Sequence, residues 1–166
     1  MYDSVGMGSN VKSEYNRLTI DDEIIDATDI LMVGWNAGAS GKAIKDPYFR
    51  LVEDDDTTPL NIDFFGNLKA QAWWALKMRF YRTWQAVTQG IRHPVDSLII
   101  LDTQSLTMIR QIEKELSQPV MKPNSALKQI VDKKPEGTRS PNVADAIVMA
   151  YFPVEAYTGF AIAGSS

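Results

Sequence analysis

Two acids stand where chemistry could start. Asp3 lies in Tyr2-Asp3-Ser4-Val5-Gly6-Met7-Gly8, and Asp145 lies in Ser140-Pro141-Asn142-Val143-Ala144-Asp145-Ala146-Ile147. Each sits where one element gives way to the next, at opposite ends of the chain. Carboxylates so placed are how a protein builds a divalent-cation site from oxygen ligands. Asp3 ends a strand at a glycine-rich turn, and in open α/β sheets ligands gather at the carboxyl ends of strands. Its competing reading is a turn aspartate that hydrogen-bonds its own backbone. Asp145 falls near the second turn of an apolar helix, with Asn142 three residues earlier on the same face. An unpaired carboxylate there would be costly, and the remedies are a metal, a basic partner or protonation. Pairing with Lys133 or Lys134, or with the positive helix end, is the structural alternative. Spacing alone leaves metal ligand and structural acid both open.

The elements between these acids must bring them together. Residues 1–3 read as the end of a strand whose beginning lies upstream. A helix capped by Ser9 or Asn10 follows to about residue 18, and residues 30–35 read as a short buried strand. Residues 36–61 are loop-like, with a solvated acidic run at 53–56. The strongest helix covers about 67–89. Trp73, Leu76, Phe80, Trp84 and Val87 form one apolar stripe, Arg79 and Arg82 lie opposite, and Gly90 is the C-cap. The tryptophans could stack on bases, but aromatics at helical spacing read as core. Residues 97–101 are a short apolar run, either a strand or the approach to the next helix. A helix over 107–116 ends at Pro119, and two short strands at 120–122 and 127–132 flank an Asn124-Ser125 turn. A basic loop then leads to the last helix, with Ser140 as N-cap and Pro141 at its first position, running to about Phe152. This alternation predicts one α/β domain over 1–153, with a sheet continued outside the chain and a loose tail over 154–166.

Composition narrows the chemistry. The 166 residues suit a single domain, and no apolar run reaches membrane-spanning length. No signal-peptide pattern opens the chain. With no cysteine and a single histidine, His93, thiolate and multi-histidine metal centres are excluded, and any metal must be hard and oxygen-bound. His93 itself reads as a loop residue. The segment 34–42 fails the phosphate-loop pattern at Asn36 and Ala43, which removes nucleotide hydrolysis there. Residues 1–63 carry 13 acids against 5 bases, whereas residues 64–140 carry 12 bases against 6 acids. That polarity is compatible with an anion-binding face beside an acidic one, or with two ordinary solvated surfaces.

Taken together, the two ends resemble the C-terminal nuclease domain of tailed-bacteriophage large terminase subunits. The resemblance rests on the segment around Asp3, on the opening of the long helix at Asn67-Leu68-Lys69-Ala70-Gln71-Ala72-Trp73-Trp74, and on the run from Lys133 to Ala146. It implies an RNase H-like mixed sheet flanked by helices, lacking its first strands. It also implies an endonuclease that cuts concatemeric double-stranded viral DNA with Mg2+ or Mn2+. Asp3 would match the family's second acid and Asp145 its third, both as metal ligands, with the first acid lying upstream of Met1. Asn142 stands where many members carry aspartate and becomes a neighbour of the ligand set. Lys128, Lys133, Lys134 and Arg139 are candidates for phosphate contacts. The implied partners are double-stranded DNA, an ATPase domain absent from this chain, the portal and the small terminase subunit. The implied place of action is the bacterial host cytoplasm, with no membrane. With two of the expected acids present, the resemblance predicts weak or no cleavage by these residues alone. Other readings are a non-catalytic prophage remnant, a DNA- or protein-binding module, and another RNase H-like enzyme such as a resolvase.

Overall fold

The computed structural model describes residues 2–3, 13, 33–39, 59–104 and 107–152. Their elements are β1 (Tyr2–Asp3), β2 (Gly34–Trp35), α1 (Asn61–Phe64), α2 (Leu68–Gln89), a 3-10 turn (Val95–Ser97), α3 (Ile109–Ser117), β3 (Val120–Pro123), β4 (Gln129–Asp132) and α4 (Asn142–Tyr151). β1 and β2 pair in parallel, Tyr2 opposite Gly34 and Asp3 opposite Trp35, while β3 and β4 form an antiparallel hairpin. The helix expected over about 10–18, residues 30–32, the acidic run at 53–56 and the tail over 154–166 lie outside the described residues. Ser13 alone of that first helix is described, helical and exposed. Among the described residues no helix is long and apolar enough to cross a membrane.

Helix α2 forms where its punctuation places it. Asn67 is extended and its side chain accepts from the Ala70 N–H at 2.9 Å, satisfying one of the donors that a helix start leaves open. Gly90 closes the other end at φ 67°, in the left-handed region glycine enters without steric cost.

The expected apolar stripe is only half core. Trp73 and Leu76 are buried, but Phe80, Trp84 and Val87 are 36%, 50% and 79% exposed. The reason is length. Twenty-two residues make a rod roughly 33 Å long, and its buried residues all fall between Leu68 and Met78. Beyond them Tyr81 and Trp84 stack on each other in the open, their ring centres 5.8 Å apart. Arg79 does not face away as the stripe implied; its guanidinium donates to the carbonyls of Asp96 and Leu98. Thr83 exchanges hydrogen bonds with both backbone groups of Ile99. Residues 98–102 therefore form neither strand nor helix, but an extended segment stitched along α2 that buries Ile99.

The hairpin follows the expected turn. The Asn124 carboxamide accepts from the N–H groups of Ala126 and Lys128, replacing backbone bonds that the turn breaks. The linker between α1 and α2 lies flat on the hairpin: the Gly66 N–H donates to the Gln129 carbonyl at 2.8 Å. A Cβ at Gly66 would come within 2.7 Å of Ile130 Cγ2, so this contact needs glycine. Trp35, Trp73, Leu76, Val131, Ala144 and Val148 share one core cluster, which joins β2, α2, β4 and α4.

Candidate metal centre

Asp145 sits on the first turn of α4, one residue earlier in the helix than the sequence suggested. The expected Ser140 cap is absent. Pro141 occupies the N-cap position, and no side chain of its own closes the helix start. The Ser140 carbonyl instead accepts from the Asn142 N–H in a tight turn, and the first helical bond runs from the Asp145 N–H to Pro141 at 2.9 Å.

The missing cap comes from another helix. Glu115 on α3 is buried, and its Oε2 accepts from the N–H groups of Val143 at 2.8 Å and Ala144 at 3.1 Å. Its Oε1 accepts from the Gln111 carboxamide at 2.6 Å. Burial pushes the Glu115 carboxyl up, but the bonds from Gln111, Ala144 and Val143 outweigh it, and the group titrates below the ordinary carboxylate value. One helical turn further along the same face, the Gln118 carboxamide donates to the carbonyls of Lys133 and Arg139 at 2.6 and 2.7 Å. Gln111, Glu115 and Gln118 thus fix both the start of α4 and the loop that feeds it.

That loop delivers Lys133 to Asp145. The Lys133 ammonium pairs with Asp145 Oδ2, with the two side chains 29% and 16% exposed. This is the basic partner that the sequence had left open. The other oxygen, Asp145 Oδ1, is buried and has no hydrogen-bond partner among the described residues. For Asp3 the structure describes the backbone, which lies beside Trp35. Trp35 shares a core cluster with Ala144 and Val148, the residues on either side of Asp145 that face inward. Among the described residues no group of three or more His, Cys, Asp or Glu forms a cluster that would hold a metal. A desolvated carboxylate oxygen without a partner among the described residues nonetheless suits a hard oxygen-seeking cation.

The remaining candidates divide. Asn142 is exposed, and its N–H is spent on the Ser140 turn. Lys128 reaches into the fold, where its ammonium donates to the Ile62 carbonyl at 2.8 Å. Lys134 and Arg139 are exposed and follow Lys133 on the loop. His93 is a loop residue, as expected, within 3.1 Å of the Gln85 carboxamide. Glu115 and Gln118 escaped sequence reasoning. The one available signal was an acid lying between Ile112 and Leu116, on the side of the helix that turns inward.

No family model and no curated protein matches the chain. Solved structures do. The chain is similar to the nuclease domain of the large terminase subunit of bacterial virus Sf6, at 24% identity and a TM-score of 0.73, over 92% of this chain and 64% of that one. A lysine-to-alanine mutant of that domain, solved with manganese, gives 25% identity and a TM-score of 0.72 over the same shares. The mutant solved with calcium also gives 25% and 0.72, covering 63% of its chain. The chain thus spans a little under two thirds of the length of these structures and has the RNase H-like fold expected from its two ends.

Proposed function

We propose that this chain is part of the nuclease domain of a phage large terminase, acting on double-stranded DNA with Mg2+ or Mn2+. The observation that carries the proposal is the buried, unpartnered Oδ1 of Asp145, in a fold similar to a nuclease domain solved with manganese and calcium. Asp145 and Asp3 would hold the metal. When bound, divalent ions supply activation of the attacking water and stabilisation of the leaving oxygen, which in the two-metal scheme takes two ions.

The chain's own residues do the rest. Lys133 pairs with the Asp145 carboxylate and supplies the cation that a partly buried acid calls for. Gln118 anchors the loop that carries it. Lys134 and Arg139, exposed on that loop, would meet phosphates without reading base sequence. In the packaging motor the ATPase domain, the portal and the small subunit would be the neighbours, in the host cytoplasm.

Plasmid nicking in Mn2+ tests the reading. Any metal-dependent cleavage by the chain should vanish in Asp145→Ala, and equal cleavage by the two proteins would contradict it. A second reading draws on the Lys133 pairing: Asp145 is then a structural acid in a module that binds DNA without cutting. Binding that weakens steeply with salt, yet ignores loss of Asp145 and of divalent metal, would favour that reading.

A further inference from the structure

We infer that Glu115 is the positioning residue of the Asp145 site, setting where that carboxylate lies although the two side chains do not touch. Three observations converge on it. Glu115 is the one buried acid among the described residues, and no cation among those residues pairs with it; its three hydrogen bonds there come from neutral N–H groups. Two of those donors, the amides of Val143 and Ala144, immediately precede Asp145. Among the described residues nothing else caps this helix, because Pro141 offers no side-chain acceptor. The first turn of α4 is thus held from α3, across 28 residues of sequence.

The consequence is geometric. Helix starts fray when their open N–H groups lose an acceptor. Asp145 lies on the turn that would fray, and its Oδ1 and Oδ2 have fixed surroundings only while that turn holds. Without Glu115 the Lys133 pairing and the free Oδ1 would become an ensemble of positions. The effect on metal binding rests on the proposed reading of Asp145 as a ligand. The effect on the first turn does not.

Glutamine is the informative substitution. In Glu115→Gln the new Oε1 still accepts from Val143 and Ala144, and the Gln111 carboxamide can turn over so that its oxygen accepts from the new amide. All three bonds survive with the charge removed. Glu115→Ala removes them all.

The test uses the full chain, at a temperature where circular dichroism shows every variant folded, with Mn2+ as the probe. Glu115→Ala should weaken Mn2+ binding about tenfold, the lower end of the loss typical when a ligand's supporting partner is removed. Glu115→Gln should stay within about threefold of the parent, on the same reasoning. In nuclear magnetic resonance, Glu115→Ala should speed amide exchange at Val143 and Ala144 and shift the Asp145 side-chain carboxyl signal, while core amides of α2 stay protected. Mn2+ affinity unchanged in Glu115→Ala, or lost equally in Glu115→Gln, would overturn the positioning role. Asp145→Ala is the control. If it binds Mn2+ as the parent does, the ligand reading fails by itself, and the resonance data alone decide for or against Glu115. Should Glu115→Ala not fold, Glu115→Leu with the same resonances read at lower temperature takes its place, with the same deciding outcomes.

Discussion

Asp145 presents one oxygen to an ammonium and keeps the other, buried, without a partner among the described residues. A carboxylate in that state is stabilised by whichever cation reaches it, so on the proposed reading Lys133 and a divalent ion would compete for the same acid. Replacing Lys133 with alanine should lower stability by about 1–3 kcal/mol, the cost of stranding a buried polar group. Added Mn2+ should then raise the melting temperature of Lys133→Ala more than that of the parent, because binding to the folded state alone stabilises it. Thermal unfolding with and without the ion reads this, and an equal shift in both proteins would contradict the competition. The pairing was visible in the sequence because Lys133 lies in the loop that runs directly into the helix. Glu115 was not. Its partners are backbone amides 28 and 29 residues away, and amides carry no residue signature.

At the scale of elements, local chemistry placed most boundaries, and tertiary reach decided burial. Gly90 ends α2 as expected, and the Asn124 turn folds the hairpin, because both depend on single residues and their own backbone. The α2 stripe misled because periodicity shows which side of a helix is apolar, not how far a neighbour extends along it. Elements α4 and β4 cover its first half, and Trp84 is left stacking on Tyr81. The Ser140 cap misled for a related reason: an acceptor from α3 already serves those amides, leaving the local one unused. Leu76→Ala should therefore cost about 2–5 kcal/mol, as deletion of a buried leucine typically does. Trp84→Ala should cost only about 1 kcal/mol, the scale of an exposed aromatic pair. Urea unfolding of the two variants distinguishes them, and comparable losses would mean that the second half of α2 is packed after all.

For the whole molecule, one parallel strand pair and one shared core relate β1 to α4 through Trp35. β1 sets the backbone of Asp3 beside Trp35, and Trp35 shares its cluster with the inward residues flanking Asp145. The RNase H-like fold was legible because the motifs at both ends kept their order and flanks. That the two acids meet was expected from the resemblance and not from periodicity, which carries no information about contacts separated by most of the chain. Convergence of these two acids on one cation is the central claim, and paramagnetic broadening by substoichiometric Mn2+ tests it most directly. The amide signals of Asp3 and Asp145 should broaden together, at the same added Mn2+, and both should stay sharp in Asp145→Ala. Broadening at one end of the chain only, or broadening that survives that substitution, would contradict it.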